Sequence, residues 1–195
     1  MFGILSASAL GCTETSESIN TAAVEKQVKD LNAFEVPTQT VELLSPRITV
    51  QGYSICPPKA YTQALPKSSP EGVVTCAWKG DRRSDGSAAV VQMLIAPCPA
   101  GENKLSVEAV AADLLIGVKA NRSGWTQSDV TFGKIGDREF ARQEFTFTEP
   151  KLNCNLHGVM FSSASNGKII QLLTLDAEAH LSELKAGESS LLTFQ

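Results

Sequence analysis

The chain is poor in the side chains that carry most enzymatic chemistry. Only two histidines, His157 and His180, occur in 195 residues, and aromatic residues make up 6%. No His-Glu-x-x-His, no Gly-x-Ser-x-Gly and no phosphate-cradling glycine loop occurs. None of the five cysteines is spaced Cys-x-x-Cys from another, so a zinc ribbon and a thioredoxin-type redox pair are unsupported. Long apolar runs are missing as well. The stretch Phe2–Leu10 has nine residues, the size of a signal-peptide core and well short of the roughly 18 that a membrane-spanning helix needs. Nor is there an excess of positive charge. Net charge is −4, with six acids against two bases from Thr13 to Ser45 and fifteen of each sign from Pro46 onward. A neutral body offers no basic footprint to nucleic acid. What is present is a 43% hydrophobic content and a length suited to one domain with a sizeable core.

At the amino terminus, "SASALGC" brings small residues up to Cys12, followed at once by the polar run "TETSES". "ALGC" resembles the lipobox of bacterial lipoproteins, in which the cysteine is acylated and becomes the first mature residue. Ala9 stands where Leu is usual, and no Lys or Arg precedes the apolar run; a start placed too far downstream accounts for the second departure. The resemblance implies a signal-like segment 1–11, acyl chains on Cys12 and an acidic tether over 12–45. Each buried methylene of such a chain contributes about 0.8 kcal/mol to membrane attachment. Thr13 is not the Asp associated with inner-membrane retention, so the expected location is the cell envelope, at the outer membrane or facing the periplasm.

Cys56, Cys76, Cys98 and Cys154 remain. An even number in an exported chain points to two disulfides, with Cys56–Cys76 and Cys98–Cys154 the preferred pairing among three. "CNLH" places Cys154 and His157 close together, but a metal site would need distant ligands, and no metal or cofactor is expected.

Beyond Pro46 the chain alternates strands and turns. "RITVQGYSICPPKAYTQAL" reads as two strands about a proline-marked turn, and "GVVTCAWKG" and "AAVVQMLIAP" as two more joined by "DRRSDGS". In "SVEAVAADLLIGVKANRSGW", Val107, Val110, Ala111, Leu114 and Val118 recur at helical spacing, with Ser106 as N-cap and Gly124 as stop. "SDVTFGKI", "REFARQEFTFTE", "LHGVMFSSAS" and "KIIQLLTLD" follow as strands, with "GD" and "NG" as hairpin turns. A closing helix places Ala177, Leu181, Leu184 and Leu191 on one face, interrupted by Gly187. "VVQMLIAP" and "IIQLLTLD" are apolar on both faces and must be covered on both. The expected fold is α+β, a three-layer α/β/α sandwich around a central antiparallel sheet, spanning 46–195.

The order "GYSICPP", "AWKGDRRSDGS", a helix ending in "SGW", "IGDREFARQEF", "GKIIQLLTLD" and a final helix ending "SLLTF" resembles the PsbP/Mog1 superfamily and its PsbP-like bacterial lipoproteins, over Arg47–Gln195. That resemblance implies the same sandwich and a role in binding: PsbP supports the oxygen-evolving complex of photosystem II, and Mog1 binds the GTPase Ran. It carries no catalytic residues over.

The expected function is therefore a membrane-anchored extracytoplasmic lipoprotein, not an enzyme, acting as a protein- or ligand-binding module. Its partner is unknown, and nucleic acid is not among the candidates. Two alternatives stand beside it. A soluble hydrolase would need His157 or His180 beside a carboxylate and a hydroxyl. A cytosolic GTPase-binding adaptor of Mog1 type would need reduced cysteines. Asp81 and Asp85 lack the further oxygens that calcium requires. Arg82 and Arg83 are candidates for docking an acidic partner, and Trp78 and Trp125 for closing the edges of the core.

Overall fold

A computed structural model describes residues 31–99 and 105–195. The signal-like segment and Cys12 lie outside them. Ten strands and three α-helices are found among the described residues: α1 (Thr38–Val41), β1 (Ile48–Val50), β2 (Tyr53–Ile55), β3 (Thr62–Ser68), β4 (Val74–Lys79), β5 (Val90–Pro97), α2 (Val107–Lys119), β6 (Ser123–Gln127), β7 (Thr131–Ile135), β8 (Arg138–Glu149), β9 (Cys154–Ser165), β10 (Lys168–Ala177) and α3 (Leu181–Leu191). Eight strands form one antiparallel sheet in the order β3-β4-β5-β10-β9-β8-β6, with β7 also on β8. The protein is thus an antiparallel α+β domain.

Register divides the sheet residues into two sets. Cys76, Met93, Leu172 and Phe161 are successive partners across β4, β5, β10 and β9. With Trp78, Val91, Ile170 and Phe140 they form the larger apolar cluster, closed by Leu191 and Phe194 and by Val50 and Ile55 of the separate β1–β2 hairpin. Residues of opposite parity, among them Phe145, Phe147, Leu156, Met160 and Leu173, pack with Val118 of α2. Val107 and Ala111 of the same helix meet Ala141. Burial of side chains of this kind stabilises by about 1.5–3 kcal/mol each.

Turn chemistry behaves as the sequence indicates. Asn166 and Gly167 take positive φ (52° and 69°) between β9 and β10, the type I′ geometry that follows the strand twist. Ser106 caps α2, its Oγ accepting from the Ala109 N–H at 3.1 Å. Elsewhere the structure departs from the sequence reading. "RITVQGYSI" holds two strands, because Gln51 and Gly52 both adopt positive φ (54° and 84°) and fold a hairpin there. Helix α2 ends at Lys119, five residues before Gly124, because Asn121 takes the left-handed conformation (φ 61°) that closes a helix. Gly124 sits instead in β6, at a register shift against β8 where its Cα faces Thr148 Oγ1. Ala177 belongs to β10, and Leu181 is 46% exposed. The inward face of α3 is made by Leu184, Ala186, Gly187 and Leu191 together with two buried serines, Ser189 and Ser190.

The two expected disulfides are not formed; all four described cysteines are free. Cys98 follows β5, its N–H bonded to the Gly167 carbonyl at the β9–β10 turn. Cys154 begins the twelve-residue β9 and so lies at the opposite end of the sheet. A strand of that length spans about 36 Å, whereas a disulfide needs Cα atoms within about 7 Å. Cys56 is held to the C-terminal segment by its N–H bond to Thr193 Oγ1 (2.7 Å), while the buried Cys76 Sγ accepts from Gln63 Nε2 (3.2 Å).

Candidate functional site

Polar chemistry gathers in two regions of the sheet. One charged network under α3 lies at the end where β8 and β10 finish and β9 begins, and a second lies nearer the middle of the sheet. In the first, Arg83 from the β4–β5 loop grips Asp176 of β10 with two bonds of 2.6 and 2.8 Å, and its Nη2 lies 3.7 Å from Glu183 of α3. Asp176 is 1% exposed, and the planar guanidinium fork meets its two oxygens bidentately, the geometry that a buried carboxylate needs in a partner. The loop is bent for this purpose. Asp85 Oδ1 accepts from both the N–H and the hydroxyl of Ser87, and Gly86 supplies a positive φ of 81°. Burial raises the Tyr61 phenol above its ordinary range, and the charges of Asp176 and Glu183 push the same way.

In the second network, Arg142 of β8 joins Glu188 of α3 (2.7 Å) to Glu144 (2.5 Å), and Glu144 lies 3.3 Å from His157 Nε2 on β9. The Arg142 hydrogen bond holds the Glu144 carboxyl below its ordinary range against the opposing effect of burial. His180 Nε2 lies 3.5 Å from Asp85. Each histidine thus has a carboxylate neighbour, as a triad would require. The Ser87 hydroxyl, however, donates to Asp85 and not to a ring nitrogen. In a triad the imidazole stands between hydroxyl and carboxylate; here the carboxylate stands between hydroxyl and imidazole.

At the other end, the β7–β8 turn, the β9–β10 turn and the C-terminal segment enclose an open cleft of ≈ 510 Å³. Phe194 and Ile135 form its apolar floor, and Asp137, Arg138, Ser165 and Asn166 its polar rim. The Arg138 guanidinium sits 5.4 Å from the centre of the Phe194 ring, within cation–π range. The cleft is held in shape because Gln195 exchanges two backbone bonds of 2.9 Å with Ser54 in β2. It offers the Arg138 cation, the Asp137 carboxylate and two turn backbones, which suits a ligand of mixed polarity.

No protein-family model matches the chain, and no curated protein does. Solved structures do. The solution structure of the cyanobacterial PsbP protein CyanoP from Synechocystis sp. PCC 6803 superimposes with a TM-score of 0.57 at 14% identity, over 78% of this chain and 92% of that one. The chain has a PsbP/Mog1-like fold. LpqN of Mycobacterium tuberculosis, described as involved in cell envelope biogenesis, superimposes with a TM-score of 0.50 at 11% identity, over 71% and 78% of the two chains.

On this PsbP-like domain the residues singled out from sequence scatter. Cys154, His157 and His180 lie at the charged end, Cys98 at the cleft end, and Cys56 and Cys76 in between. Arg83 is turned inward onto Asp176. Trp78 is fully buried, and Trp125 stacks on Phe145 at 4.8 Å. Arg142, Glu144, Asp176 and Glu188 were not indicated beforehand, since nothing in their spacing couples them. Arg138 was visible only as the first residue of a strand, and Asn166 only as a turn residue. Their signal was that "GD" and "NG" both end hairpins on β8 and β9–β10, which neighbour each other in the sheet.

Proposed function

We propose that the protein is an extracytoplasmic, membrane-anchored binding module, acylated on Cys12 and non-enzymatic. Its domain is a three-layer α/β/α sandwich, a reading supported by α2 and α3 packing against sheet residues of opposite parity. The observation that carries the binding role is the cleft between the two hairpin turns and the C-terminal segment. It is built on Phe194 and Arg138 and is separate from every histidine of the chain. The titratable groups under α3 tie that helix to the sheet, which accounts for them structurally. The LpqN likeness agrees with an envelope location. The partner is a protein or small ligand of mixed polarity, and the neutral domain surface disfavours nucleic acid.

Membrane fractionation tests the anchor. Wild-type protein made with a complete export signal is expected in the membrane fraction, and Cys12→Ala in the soluble extracytoplasmic fraction. Persistence of Cys12→Ala in membranes overturns the anchoring. One observation favours a second reading, a cytosolic adaptor of Mog1 type: all four described cysteines are free. Recovery of the unprocessed chain in the cytosol would select it.

A further inference from the structure

The outer edge of β7 carries a feature the sheet itself does not require. Gly133 lies mid-strand with an ordinary extended backbone, so no left-handed turn demands a glycine there. Glycine in a strand interior forgoes packing and marks a close approach of other groups. What approaches is the chain's own residues 32–34. A Cβ on Gly133 would fall 2.6 and 2.7 Å from Phe34 ring carbons and 2.8 Å from the Asn32 carbonyl oxygen. Ala33 bridges Lys134 in parallel, the Phe34 N–H donating to the Lys134 carbonyl (2.8 Å) and the Lys134 N–H to the Asn32 carbonyl (3.0 Å). The Phe34 ring then meets Phe161 edge-on at 5.4 Å. A strand edge, a bare Cα and an aromatic seat thus receive an extended segment from a hundred residues away.

The edge extends further than its contacts with residues 32–34. Backbone groups alternate in direction along a strand, so the N–H and C=O of Phe132 point outward like those of Lys134. Among the described residues no backbone bond reaches them from outside the sheet. A segment pairing there as well would add to the ladder, the mode by which peptides augment sheet edges.

We propose that the β7 edge with its Gly133 slot is a peptide-binding site. Its ligand class is an extended segment running parallel to β7 with an aromatic side chain over Gly133, and residues 32–34 fill it in cis. The ligand is a segment of a partner protein, which must displace the strap. A tethered competitor acts at millimolar effective concentration and lowers apparent affinity by the fraction of sites it holds closed. This surface is independent of the Cys12 anchor, so its failure would leave the anchoring result untouched.

The test is fluorescence-anisotropy titration of full-length protein with a labelled peptide of sequence VKDLNAFEV, copied from residues 28–36, and with the same peptide carrying Ser in place of Phe. Phe34→Ala is expected to bind the first peptide saturably, at least tenfold more tightly than wild type and at least tenfold more tightly than it binds the Ser peptide. Adding Gly133→Val, which fills the slot, is expected to abolish binding. Should that variant not fold, Lys134→Pro serves instead, since the N–H it removes points outward to Asn32 and is not one that β7 gives to β8. The proposal is overturned if Phe34→Ala binds no peptide at millimolar concentration, if the Ser peptide binds equally, or if the blocked variants still bind.

Discussion

Arg83 shows how a residue that reads as surface charge becomes structural. In "GDRRSDG" nothing separates Arg83 from Arg82, yet the loop folds Arg83 onto a carboxylate that is 1% exposed. Removing one partner of such a pair leaves the other buried and uncompensated, which costs about 3–5 kcal/mol, whereas replacing both with apolar groups is far milder. Arg83→Met is therefore expected to lower unfolding free energy by about 3–5 kcal/mol in urea titrations. Arg83→Met with Asp176→Leu should recover most of that loss; an additive double mutant would show that the pair is not coupled. Trp78 shows the opposite case. Its position in an alternating strand places it in the core, and it is fully buried.

Among the elements, α3 is where local preference and tertiary contact disagree. By propensity, Gly187 in a helix interior costs about 1 kcal/mol relative to alanine. In the fold, a Cβ at that position would collide with Thr174 Oγ1 and come within 3.1 Å of Thr174 Cβ and 3.4 Å of Val91 Cγ2. Overpacking of this kind costs about 1–3 kcal/mol, so contact outweighs propensity. Gly187→Ala is expected to destabilise the protein in chemical denaturation, and Thr174→Ala on that background to restore part of the loss. A stabilised Gly187→Ala would mean that α3 stands off from β10. The edge strands follow related logic. β3 has a register shift between Ala64 and Lys67, which discourages pairing with other chains, whereas the β7 edge is left open and then occupied by residues 32–34.

For the molecule as a whole, stability comes from apolar burial and from the charged networks under α3, with no covalent cross-link among the described cysteines. Melting temperature is therefore expected to be the same with and without reducing agent in a thermal scan. A fall of several degrees on reduction would show that a disulfide forms after all. The domain also reaches further toward the amino terminus than a tether over 12–45 suggests. Phe34 packs on the core, and Thr40 Oγ1 bonds Ser189 Oγ of α3 at 2.7 Å.

The sequence by itself determined the antiparallel hairpins, the capped helix α2 and the general PsbP/Mog1-like order, because these depend on period, turn chemistry and spacing between near neighbours. Only the tertiary structure decided which carboxylate Arg83 meets, why Gly133 and Gly187 are glycines, and that Cys98 and Cys154 lie at opposite ends of one sheet. Each of these depends on how strands distant in the chain are placed side by side. Strand order comes from the joint packing of all the apolar faces, and no local pattern of residues records it.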